Sequence, residues 1–136
     1  MTCILITGAA GMVGRALVGA LAGHDVIATD LDRATLPPDV TFRPMDVTGS
    51  DPGTVIAAER PDVVVHLASI VTPPPGMTRA QAFAVDVTGT RNVVAACVAH
   101  GVKRLVVTSS GAAYGYHADN PVPLTEDAPC RGNPEF

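Results

Sequence analysis

The chain has 136 residues, enough for one domain with a real core and no more. Hydrophobic residues make up 47% and charged residues 16%, an ordinary globular composition. A formal net charge of −4, scattered arginines and a single lysine, Lys103, leave no basic stripe for nucleic acid, and no apolar run approaches the roughly 18 residues of a membrane span.

The first expected strand is Cys3–Thr7, and it begins at once, with no signal-peptide pattern ahead of it. A helix follows, with Val13, Leu17, Ala20 and Leu21 on one face and Gly23 as its stop. The second strand is Asp25–Thr29, ending at Asp30. Two prolines make residues 31–39 a loop. A third strand, Val40–Arg43, leads into Asp46-Val47. Asp51 then reads as an N-cap with Pro52 at the first helical position, opening a short helix to Arg60. The fourth strand, Asp62–Leu67, is continuously apolar, as a parallel strand buried on both faces should be. After the loop Pro73-Pro74-Pro75-Gly76, a long helix is expected from about Arg79 to His100. Its inner stripe reads Phe83, Val87, Thr90, Val94, Cys97 and Val98, with Gly101 as the stop. The last strand is Arg104–Thr108, and nothing regular is expected after Gly115. Alternation of this kind predicts an α/β fold: a doubly wound parallel sheet in the order 3-2-1-4-5, with residues 1–136 forming one dinucleotide-binding unit.

The chemistry starts at the first strand–helix junction. Gly8, Gly11 and Gly14 stand at i, i+3 and i+6 between strand and helix. The first allows a tight turn, the second a close approach of backbone to pyrophosphate, and the third close helix packing. Asp30 lies 22 positions after Gly8, where a carboxylate meets the adenosine ribose hydroxyls. That acid favours NAD over NADP, although Arg33 is near enough in sequence to receive a 2′-phosphate. Cys3, Cys97 and Cys130 fit neither a disulfide framework nor a zinc site, so a reducing cytoplasm is expected. His66 closes a buried strand and reads as a hydrogen-bonded core residue; the four histidines show no metal-ligand spacing.

Five motifs occur in order: Thr7-Gly8-Ala9-Ala10-Gly11-Met12-Val13-Gly14, Asp46-Val47, His66-Leu67-Ala68-Ser69, Gly89-Thr90-Arg91-Asn92 and Ser109-Ser110-Gly111-Ala112-Ala113-Tyr114-Gly115. Together they resemble the extended short-chain dehydrogenase/reductases, the NAD-dependent epimerase/dehydratases, over nearly the whole chain. The resemblance implies that backbone at Gly8, Ala10, Gly11, Met12, Val13 and Gly14 holds the dinucleotide. It also implies that Asp46 and Val47 hold the adenine, and that Leu67, Ala68 and Ser69 line the path to the nicotinamide ribose. Ser110 matches the catalytic serine, whose hydroxyl bonds the reacting oxygen of a small-molecule substrate, commonly a nucleotide sugar. A homodimer through the long helix is the common assembly.

Two departures stand out. Asp86 occupies a position where the family usually has asparagine. The family's Tyr-x-x-x-Lys pair is absent: Tyr114 is followed at i+4 by Ala118, Tyr116 by Asn120, and Lys103 precedes both. The resemblance places that pair past Phe136. The expected function is therefore the cofactor half of an NAD-dependent oxidoreductase, epimerase or dehydratase. The alternative is a non-catalytic, redox-sensing dinucleotide module, which the missing pair favours and the retained Ser109-Ser110 opposes.

Overall fold

A computed structural model describes residues 1–134. The strands are β1 (Cys3–Thr7), β2 (Asp25–Asp30), β3 (Thr41–Pro44), β4 (Val63–His66) and β5 (Arg104–Val107). They form one sheet in the expected order, β3-β2-β1-β4-β5, with every pairing parallel. Across the centre, Leu5 pairs with Ile27 and Val64, and Thr7 pairs with Thr29 and His66.

Side-chain alternation along the central strands feeds two cores. Leu5, Ile27 and Val64 face one side; Ile4, Ile6, Val26 and Ala28 face the other. Helix α1 (Met12–Ala20) covers the second face through Val18, with Leu17 and Leu21 beside it. Helix α2 (Asp51–Glu59) covers the first through Ile56, which has no solvent exposure. Each such fully buried aliphatic side chain contributes roughly 1.5–3 kcal/mol.

The long helix is compound: α3 (Arg79–Phe83), a π-turn (Ala84–Gly89) and α4 (Thr90–Ala99). Thr78 opens it with a capping box. Its Oγ1 accepts from the Gln81 amide at 3.2 Å, and its own amide donates to Gln81 Oε1 at 2.8 Å. At 21 residues the joined helix is long and apolar enough to cross a membrane by length and composition alone, although no single apolar run is. In the fold, Gly89, Val93, Ala96 and Cys97 pack one side of it against the first core, while Phe83, Val94 and Val98 are exposed.

Three local expectations are corrected. The inner stripe of the long helix is Val93, Ala96 and Cys97, so of the expected set only Cys97 is buried; Phe83 is 58% and Val98 79% exposed. Valines stand on both sides of the true stripe, and the π-turn adds a residue that shifts the helical phase. On α1, Leu17 and Leu21 pack inward as expected, but Val13 and Ala20 do not; Gly14 and Val18 take their place. Asp51 is not the N-cap of α2. Ser50 is, and Asp51 instead accepts from the Asp46 amide at 2.9 Å.

Candidate functional site

The sheet order reverses between β1 and β4, and ligands of open α/β sheets bind outside the carboxyl ends of the strands at such a point. A cleft of about 200 Å³ opens there. Thr7 from the end of β1, Gly8 and Gly11 from the first turn, Asp30 from the end of β2, Asp46 and Val47 after β3, and Leu67, Ala68 and Ser69 after β4 all line it. The sequence places eight of these nine as site residues; Thr7 enters only as part of a motif.

The turn is shaped by what its glycines leave out. Gly8 has φ +65, and a Cβ there would lie 2.7 Å from the Ala68 amide nitrogen. At Gly14 a Cβ would lie 2.6 Å from Ala9 Cα, so α1 starts pressed against its own turn. Gly14 is buried behind the turn rather than on the cleft wall. Gly11 is the exposed N-cap of α1, and no side chain caps that end. The first-turn amides, Met12 and Val13 among them, therefore keep their capacity for an anion. An uncapped helix end, a turn with no room for side chains and an acid on the rim fit a dinucleotide.

Asp30 organises the turn as well as the rim. Its Oδ2 accepts from the Ala10 amide at 3.0 Å and its Oδ1 from the Leu31 amide at 2.8 Å. Each oxygen retains acceptor capacity for a ligand hydroxyl. Arg33 points elsewhere: its guanidinium donates to the carbonyls of Pro37, Pro38 and Val40 and sits 6.0 Å from the centre of the Phe42 ring. Asp46 is oriented through Oδ1, which accepts from the amide and hydroxyl of Thr48 at 2.8 and 2.7 Å. The neighbouring Val47 carbonyl is held by Asn92 Nδ2 of α4 at 2.9 Å.

His66 is 2% exposed and fully engaged, as the sequence suggests. Nδ1 lies 2.7 Å from Thr7 Oγ1, and Nε2 lies 3.0 Å from Thr90 Oγ1. Burial pushes its pKa below the usual histidine value, while the charge of Asp86 pulls the other way. Asp86 is half-buried, and its Oδ1 accepts from the Ile70 amide at 2.8 Å.

A second cavity of about 470 Å³ adjoins the cleft, and it brings Ser69, Asp86 and Val13 together with Ser109 and Ser110. Ser110 is exposed, and its Oγ accepts from the Ala112 amide at 3.2 Å, capping a short 3₁₀ turn, Gly111–Tyr114. That cap uses a lone pair and leaves the hydroxyl proton to donate. Sequence reasoning missed Thr29, Leu31, Met45, Ile70 and Val85 on the cleft wall. Met45 and Leu31 flank predicted acids and were within reach; Ile70 and Val85 carry no local signal. Among the described residues no cluster of three or more metal-ligating side chains occurs.

Residues 4–135 match the family model described as the NAD dependent epimerase/dehydratase family. The chain belongs to that family. Among its relatives, it is 38% identical over 117 residues to a 3-beta-hydroxysteroid dehydrogenase of Mycolicibacterium neoaurum, covering 79% of this chain and 31% of that enzyme. It is 32% identical over 143 residues to a UDP-glucose 4-epimerase of Mycolicibacterium smegmatis, covering 92% of this chain and 44% of that enzyme. The Bordetella bronchiseptica enzyme WbmG, solved in complex with NAD, superposes with a TM-score of 0.83 at 30% identity, covering 97% of this chain and 44% of that one. This epimerase/dehydratase-family chain thus spans less than half the length of each of these three proteins.

Proposed function

We propose that this chain is the NAD-binding half of an oxidoreductase, epimerase or dehydratase that acts by hydride transfer at a hydroxyl or keto carbon. The observation that carries this is the convergence of the Gly8 turn, the bare N-terminus of α1 and the Asp30 carboxylate on one cleft at the sheet's switch point. Residues 1–136 act as one dinucleotide-binding unit. The Met12 and Val13 amides above the Gly8 turn receive the pyrophosphate, the Ala10 amide being held by Asp30, which takes the adenosine ribose; Asp46 and Val47 receive the adenine, and the 67–69 turn the nicotinamide ribose. NAD, when bound, supplies the acceptor and donor of hydride. Ser110 holds the reacting oxygen of the substrate by donating its hydroxyl proton.

NAD is preferred to NADP. Asp30 repels a 2′-phosphate, and Arg33 is held on three backbone carbonyls. Calorimetric titration with each cofactor tests this. NAD should bind and NADP bind more weakly; tighter NADP binding overturns the preference, and binding of neither overturns the reading.

A nucleotide sugar is the favoured substrate, supported by the UDP-glucose 4-epimerase among the relatives. The steroid dehydrogenase among them shows the same half serving another substrate. The 136 residues hold no Tyr-x-x-x-Lys pair, so this chain alone should turn over no sugar nucleotide. Steady NADH production from one would refute that. The exposed Phe83, Val94 and Val98 suit a homodimer through the long helix. The three cysteines are unpaired, which suits a reducing cytoplasm.

A further inference from the structure

The contacts of His66 form a chain in which every proton can be placed. The Thr90 hydroxyl lies 2.6 Å from the Asp86 carbonyl oxygen, which only accepts, so the single hydroxyl proton of Thr90 is committed there. Thr90 Oγ1 must then accept from His66, and Nε2 carries the ring proton. With burial keeping the imidazole neutral, Nδ1 is bare and accepts the hydroxyl proton of Thr7. The Thr7 oxygen, its proton spent, accepts from the amides of Leu67 at 3.1 Å and Ala68 at 3.2 Å. The direction runs one way, from the 67–68 amides through Thr7, His66 and Thr90 to the main chain of the π-turn. The opposite tautomer would set two acceptors face to face at Thr90, a bare Nε2 against an oxygen whose proton is already committed.

Thr7, Leu67 and Ala68 line the cleft, and His66 and Thr90 line the second cavity beside Ser110. Thr7 immediately precedes Gly8, and Ala68 is the residue whose backbone closes over Gly8. We propose that His66 is a positioning residue for the dinucleotide, locked as its Nε2–H tautomer by Thr90 so that Thr7 gathers the Leu67 and Ala68 amides against the nucleotide turn. The groups that face the ring are the hydroxyl of Thr7 from β1, the hydroxyl of Thr90 from α4 and the charge of Asp86 from the π-turn. This rests on the nucleotide reading above.

Nitrogen-15 NMR of the ring and NAD titration of two variants, made in the protein at its natural length, test it. The wild type should show the Nε2–H tautomer at neutral pH; an Nδ1–H tautomer or a charged ring overturns the proposal. Thr90→Val keeps the shape and removes the acceptor, and should bind NAD roughly tenfold more weakly, the scale of one lost hydrogen bond. Thr90→Ser keeps the hydroxyl and should bind within about twofold of wild type, since the same bond is retained. Equal affinity of Thr90→Val and wild type, or equal weakness of the two variants, overturns the proposal while leaving the nucleotide reading intact. Failure of the wild type to bind NAD at all overturns both.

Discussion

The two ends of the candidate site are held by different means. At the carboxyl ends of β2, β1 and β4, Thr29, Thr7 and His66 are almost wholly buried, and each has its side-chain polar atoms paired. At β5 and the segment after it, Val106 and Val107 are more than 40% exposed, and Ser110 stands on a four-residue 3₁₀ turn. Farther out, the shape comes from surface polar contacts, such as Arg131 on Asp119 and Asn120. The cofactor end is thus fixed by packing and by satisfied buried polar groups. The Ser110 end is fixed by local turns. An alteration at the first should cost stability and binding together, whereas one at the second should leave both nearly unchanged.

The hardest test of the packed end is Gly8→Ala. The new Cβ meets Ala68 backbone in a left-handed conformation, so a loss of about 2–4 kcal/mol and of measurable NAD binding is expected. Urea denaturation and calorimetry check it; wild-type stability would break the comparison. Thr7→Val comes next. It strands the Ala68 amide and a buried imidazole nitrogen, while the Leu67 amide keeps the Thr7 carbonyl, at about 1–3 kcal/mol, again readable from the urea midpoint.

Acid sharpens the same point through His66. Its pKa is lowered in the fold, so the unfolded chain binds the proton more readily. The stability it confers is complete above the unfolded histidine value near 6.5 and falls as pH drops from there toward the folded pKa. Urea midpoints at pH 7.5 and 5.5 should show this loss, and His66→Asn should reduce it. Ser110→Ala, at the other end, removes one cap of an exposed turn and should leave the midpoint nearly unchanged and NAD affinity intact. Smallest of all, Arg131→Ala should shift a thermal melt no more than replicate melts differ, because the pair it breaks lies in solvent.

Much of the packed end was legible because local rules agree there. An apolar strand, a glycine turn, a helix and a carboxylate at the end of β2 each point to the same arrangement. Strand order followed from alternation alone. Phase on the long helix was not legible: Val93 and Val94, and Cys97 and Val98, offer two equally apolar stripes, and only the sheet chooses between them. Nor was Arg33, whose partners are backbone carbonyls of a proline loop that no side-chain pattern announces. The relay through His66 lies between these cases. A threonine and a histidine at paired ends of neighbouring strands were visible, but the third member, Thr90, comes from a helix 24 residues further on.

The wide turn at Ala84–Gly89 acts as a phase adjuster within a single rod. The wide turn holds one residue more than an α-helical turn needs, so removing one would let the rod close to ordinary pitch with Arg79–Phe83 and α4 nearly in their present relation. The same deletion inside α4 would swing the rod before it by roughly 100° and about 1.5 Å, because an α-helix has no spare residue to give up. A one-residue deletion in the wide turn should therefore disturb the cleft less than one in α4.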